Sequence, residues 1–177
     1  MEKSEKTSMI LVEESNLILA SLENLIRQLT QSEYRMPLSI LQQSSISQHV
    51  RHILEFYQEF LLGLQRGEID FDARKRSSQL EEDKEFALEF ISLLQKEMLV
   101  VTEDHPIATR VSTHEKELRP LLSSSRFREL AYCNEHSIHH MAILKIALKH
   151  SLPNVIVSEG FGIAFSTQHV NHLAVTC

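Results

Sequence analysis

Ile46-Ser-Gln-His-Val-Arg-His-Ile-Leu-Glu-Phe-Tyr-Gln-Glu-Phe60 sets Ile46, Val50, Ile53, Tyr57 and Phe60 at alternating intervals of four and three. That spacing puts them on one face of a helix. The spacing predicts a helix that starts near Met36-Pro37, where proline suits a first turn, and runs through Leu64 to about Arg66, with Gly67 as its stop. Working outward, Leu11, Ile18, Leu22, Leu25 and Leu29 predict a first helix over about Ser8 to Gln31. A third helix is expected from Gln79 to Met98, with Ala87, Phe90, Ile91, Leu94 and Met98 inward. The charged loop Glu68 to Ser78 precedes it. Ser123-Ser124-Ser125 supplies candidate N-caps for a fourth helix, with Glu129 in its early turns, reaching about His150 and ending before Pro153.

Between the last two helices, Met98-Leu-Val-Val-Thr102 and Ile107-Ala-Thr-Arg-Val111 are rich in strand-forming residues and flank Glu-Asp-His-Pro, which reads as a small hairpin near 98–112. The tail from Val155 to Cys177 reads as irregular or extended, packing across one end of the helices. The 177 residues contain only four glycines and four prolines, too few turns for a sandwich or barrel. The expectation is an all-α chain, a single domain over residues 1–177 built on four long helices.

The formal net charge of −6 argues against a nucleic-acid partner, since such proteins carry a basic face that displaces counterions. The one dense basic run, Arg74-Lys75-Arg76, is flanked by Asp70, Asp72, Glu81, Glu82 and Asp83, and reads as a solvated or salt-bridged loop. Two cysteines, Cys133 and Cys177, suggest neither a disulfide framework nor a CxxC pair. No apolar stretch approaches the ~20 residues that span a bilayer, and the amino-terminal residues lack a signal-peptide pattern, so a cytoplasmic location is expected.

Ten histidines are present, and their placement is more informative than their number. His136 and His140 stand four apart, about 40° around a helix and roughly 6 Å along it, so two imidazoles can converge on one ion. With Cys133 and Leu144 near the centre of the inward face, both fall within about 80° of it, whereas His139 is rotated outward. On the second helix His49 lies about 40° from Ile53 and should face the core. His52 lies about 100° away, at the flank, which suits a surface or supporting role. A lone HxxxH pair is often a surface accident, and a lone inward histidine is often a hydrogen-bonded core residue. Three inward histidines on two helices need partners for their ring nitrogens, and one metal ion meets that need. His49, His136 and His140 are therefore the candidate metal ligands. Three neutral imidazoles with an open position suit Zn, Ni, Cu or Fe and the pattern of a catalytic centre.

Four stretches in order carry a resemblance to a known family. They are Ser47-Gln-His-Val-Arg-His-Ile-Leu-Glu-Phe56, Gly67-Glu-Ile-Asp-Phe-Asp-Ala-Arg-Lys-Arg76, Arg128-Glu-Leu-Ala-Tyr-Cys-Asn-Glu-His-Ser-Ile-His-His140 and Gly160-Phe-Gly-Ile-Ala-Phe-Ser-Thr167. Together they resemble the DinB/YfiT-like superfamily of bacterial metal-binding helical proteins. The resemblance implies a four-helix bundle, up-down-down-up with one long crossover, and a three-histidine centre whose ligands carry over to His49, His136 and His140. It also implies a divalent transition metal, Zn or Ni first and Fe next, in a metal-dependent enzyme of the small-thiol S-transferase type.

Alternatives are a metal-dependent hydrolase, or a non-catalytic, metal-stabilised helical module acting in a stress response. Partners would be a small thiol or another small molecule, with a homodimer possible and neither nucleic acid nor membrane expected. Glu55, Glu129, Glu135 and His52 are acid/base candidates by position, each weighed against a solvated helix face. Arg74 and Arg76 are candidates to meet a substrate carboxylate, weighed against a loop salt bridge. Cys133, one turn before His136, is a conceivable fourth ligand and more simply a small core residue.

Overall fold

Ser45, rather than Pro37, opens the long helix that carries the first two candidate histidines. The Ser45 hydroxyl accepts from the Gln48 N–H, and the Gln48 side chain accepts from the Ser45 N–H, so two donors at the helix start are satisfied reciprocally. Residues after Pro37 form a short 3-10 turn, Ser39–Leu41, followed by Gln42 and Gln43 at φ 51° and 71°. A helix cannot run through that reversal. The other end is as expected: Gly67, at φ 78°, caps the helix in the left-handed conformation.

The computed structural model describes residues 2–115 and 117–168, with side chains from residue 6 onward. The helices are α1 (Glu2–Gln28), α2 (Gln31–Arg35), α3 (Ile46–Arg66), α4 (Ser78–Glu82), α5 (Lys84–Glu97) and α6 (Arg126–Ser151). The strands are β1 (Glu68–Ile69), β2 (Pro106–Arg110) and β3 (Leu121–Ser125). The chain is mostly helical, with one small sheet among the described residues where an all-α chain was expected. No helix among the described residues is long and apolar enough to cross a membrane.

Three local features differ from the sequence reading. The first helix stops at Gln28 because Thr30 and Glu33 form their own capping box and start α2. The expected third helix is split at Asp83, whose carboxylate accepts from the Glu85 and Phe86 N–H groups and begins α5. The hairpin is corrected in its partner. Ile107 to Arg110 lie in a strand, but Met98–Val100 is a 3-10 turn, and β2 pairs antiparallel with β3 and parallel with β1. Ser123 and Ser124 are thereby consumed in β3, and Ser125 alone caps α6.

Helix α3 packs on α5 and α6, and α1 packs on the same two, so each long helix touches two others. Leu19, Leu22, Leu25, Ile53, Tyr57, Phe60, Ile91, Leu94 and Leu144 fill the space between them, all buried. Each such side chain contributes roughly 2 kcal/mol relative to leaving it exposed. One polar contact is set in this core. Buried Asn134 on α6 accepts from Tyr57 Oη on α3 at 2.9 Å and from Ser15 Oγ on α1 at 2.8 Å, and donates to the Leu11 carbonyl at 3.2 Å. These bonds fix three helices in register, because sliding any one leaves buried polar groups unpaired.

The tail runs back over this assembly. Gln28 exchanges two hydrogen bonds with the Ile156 backbone, and Lys145 donates to the Glu159 carbonyl. Gly162, at φ 68°, lies so close to α6 that a Cβ would stand 2.5 Å from the Ala142 nitrogen. Residues 165–168 form a short helical turn, and the part of the expected irregular tail at 169–177 lies outside the described residues.

Asn134→Ala should lower unfolding free energy by about 2 kcal/mol, because it removes the acceptor of the buried Tyr57 hydroxyl, whereas Ser15 keeps the Leu11 carbonyl at 2.9 Å. Urea unfolding measures this; a loss below about 0.5 kcal/mol would mean that hydrophobic packing alone sets the register.

Candidate metal centre

The α3–α6 contact brings four histidines together. His52 Nε2 lies 2.8 Å from His136 Nε2, and His49 Nδ1 lies 3.1 Å from His140 Nδ1. Ring centroids are 4.4 Å apart for His52 and His140, and 4.7 Å for His136 and His140. Ligand nitrogens of His52, His136 and His140 all fall within 4.8 Å of one another. Tetrahedral Zn–N bonds of about 2.0–2.1 Å place neighbouring nitrogens roughly 3.3 Å apart, so these three fit one ion after shifts of order 1 Å.

The backing of the site is aromatic. Phe56, one turn beyond His52, stacks on His136 with centroids 4.2 Å apart and on Phe71 at 4.9 Å. Tyr132, one turn before His136, lies 5.7 Å from it. These rings withdraw the imidazoles from water, and burial is the main reason that all four histidines resist protonation. His52 is pushed down to about 3 and His140 to about 4, by burial first and then by neighbouring histidines and Arg74. Burial also lowers His49 and His136. At neutral pH the rings are therefore uncharged and keep the lone pairs that a metal requires.

The placement answers each expectation in turn. His136 and His140 lie side by side as their spacing implies. His49 reaches the group through His140, on the half-buried side of α3. His52, assigned to the flank, sits inside the group. The flank assignment measured its angle from the apolar centre of α3, but α6 packs to one side of that centre. His52 and Phe56, four apart, mark the α6-facing stripe, a signal the sequence contains once the neighbour is known.

Glu55 is buried, and its Oε1 accepts from the Ser77 N–H at 2.7 Å. Glu129 is buried and accepts from Ser124 Oγ at 2.5 Å, on the wall of a cleft of about 420 Å³ that Phe56, Phe71, Arg128 and Tyr132 also line. Glu135 is exposed. Arg74 donates to His52 Nδ1 at 2.6 Å, whereas Arg76 is exposed. Cys133 is fully buried, its thiol pushed well up by desolvation and directed at the Phe56 carbonyl, so it is a core group.

A mostly helical chain with convergent histidines between two helices belongs to a recognisable class of candidate metal proteins. A family model described as the DinB superfamily matches residues 17–144, a span that contains all four histidines, and the chain belongs to that superfamily. No curated protein matches it.

The histidine shifts have a defined sign. The folded values lie below the unfolded value of 6.5, so the unfolded chain takes up more protons as the pH falls. The metal-free protein should thus keep its full stability above about pH 6.5 and lose it progressively toward pH 4. Melting temperature against pH, compared with a His52→Gln/His140→Gln variant, checks this. An equally steep acid loss in the variant would assign the effect elsewhere.

Proposed function

We propose that this chain is a metal-dependent enzyme of the small-thiol transferase type, with His52, His136 and His140 holding one divalent transition metal, Zn or Ni first and Fe next. The convergence of three neutral ring nitrogens in a half-buried site carries the reading. The four long helices are read with it as a four-helix bundle and a single domain. A divalent ion held by neutral imidazoles supplies Lewis acidity, which lowers the pKa of a thiol or water that reaches it.

The chain's own groups supply the rest. The cleft beside His136 offers Phe56, Phe71 and Tyr132 to an apolar substrate body. Arg128, 62% exposed and lying over the Tyr132 ring, would meet a carboxylate on such a substrate. Glu129 is the acid/base candidate nearest this cleft, its carboxylate oriented by the Ser124 hydroxyl.

A second reading rests on His49. Its contact with His140 makes it available either as the orienting partner of that ligand or as the α3 ligand itself. If His49 joins the other three, the centre closes with four nitrogens, as structural sites do, and the protein is a metal-stabilised module.

Elemental analysis of the tag-free protein should find close to one Zn, Ni or Fe per chain. His52→Ala and His140→Ala should lose it on dialysis, while His49→Ala keeps it and conjugates a small thiol to a chromogenic electrophile. Loss in His49→Ala with retention in His52→Ala would make His49 the α3 ligand. Retention in all three variants would remove the metal centre from these residues.

A further inference from the structure

The proton order within the histidine group follows from the one neighbour that cannot accept. Arg74 Nη2 lies 2.6 Å from His52 Nδ1, and a guanidinium only donates, so that nitrogen carries the lone pair. The neutral His52 ring then keeps its proton on Nε2, the atom 2.8 Å from His136 Nε2. The proton lies between the two nitrogens that a metal would join.

A neutral imidazole binding metal through Nε2 needs the opposite arrangement, with Nδ1–H donating to a carboxylate, a carbonyl or water. Arg74 opposes that arrangement in two ways. It sets a donor against a donor, and it holds a fixed positive charge beside the place of a divalent cation. The residue is well fixed where it stands: Nη1 donates to the Phe71 carbonyl at 2.8 Å, and the guanidinium lies 5.0 Å from the Phe56 ring centroid.

A second seat is already present. Glu55 Oε2 and Arg74 Nε are both buried without a hydrogen-bond partner among the described residues, 3.4 Å apart but poorly aligned. The Glu55 side chain is 1% exposed. A carboxylate so buried accepts a guanidinium strongly once the two align. A small rotation of Arg74 away from His52 would improve that pairing and free Nδ1 to take a proton and a water partner.

We infer, building on the three-histidine reading above, that Arg74 is a positioning residue that opposes metal entry, and that loading the centre moves its guanidinium from His52 onto Glu55. The identity of residue 74 then sets metal affinity without any contact between Arg74 and the ion. Loading exchanges the Nε2 proton of His52 for one on Nδ1, through water, with no net change in ring charge.

Two measurements test this. In the metal-free wild-type protein, ¹⁵N-edited NMR should find His52 protonated on Nε2 and bare on Nδ1, and Zn should reverse the two. In competition titrations against a chelator, Arg74→Met and Arg74→Gln should bind Zn roughly tenfold or more tightly than wild type, Gln the tighter because its carbonyl can accept from Nδ1–H. The NMR measurement needs no variant, so a folding defect in either substitution leaves the inference open to refutation. His52 found protonated on Nδ1 before metal is added, or wild type binding Zn as tightly as both variants, overturns it while leaving the metal centre intact. Zn binding by neither wild type nor variants overturns the metal centre and this inference together.

Discussion

The contact between α3 and α6 is the constraint on which the rest depends. It is held at two depths. In the core, Asn134 accepts from Tyr57 and Ser15 and so locks the rotation and register of α6 against α3 and α1. Nearer the surface, Phe56 on α3 stacks on His136 of α6 with ring centroids 4.2 Å apart. Since Tyr57 lies five residues beyond His52, and Asn134 two before His136, the core lock also decides which histidines meet. A slip by one residue on either helix would turn a ring by about 100° and disperse the group.

Burying four imidazoles together is costly unless each finds a partner, and the ring group supplies partners of its own. Two ring pairs share protons with each other, and Arg74 satisfies one further nitrogen. The aromatic backing lowers every affinity for protons, which keeps the rings neutral. The ring group is therefore kept neutral by desolvation and, among the described residues, is not flanked by a carboxylate within the cluster. Glu55 and Glu129 stay engaged with Ser77 and Ser124, and neither carboxylate adds charge to the ring group. The strongest fixed charge next to the rings is the Arg74 guanidinium, of the wrong sign for a metal, so the loop that follows α3 takes part in the site's energetics.

Much of this was legible in the chain. The period of Ile46 to Phe60, the Ser125 cap and Pro153 define the two histidine-bearing helices closely, and the four-residue step from His136 to His140 fixes their common face. What periodicity cannot supply is the side on which a neighbour packs. His49 lies nearer the apolar centre of α3, and His52 nearer the flank that α6 covers, so only the helix pairing reveals that His52 joins the group. The sheet was hidden for a related reason. Met98 to Val100 and Leu121 to Leu122 look alike locally, and the choice of β2's partner is made by non-local pairing, with Ser123 and Ser124 drawn into a strand where capping had seemed their use. Ser45 and Gln48 did carry a local signal, a capping box that outweighs Pro37 as the start of the helix.

The central claim is that His52, His136 and His140 form one metal centre between α3 and α6. Crystals grown with Zn, measured on both sides of its absorption edge, test it most directly. The account predicts a single strong anomalous peak within about 2.0–2.2 Å of one ring nitrogen from each of the three histidines. A peak ligated elsewhere, or no peak between these helices at saturating Zn, would contradict it.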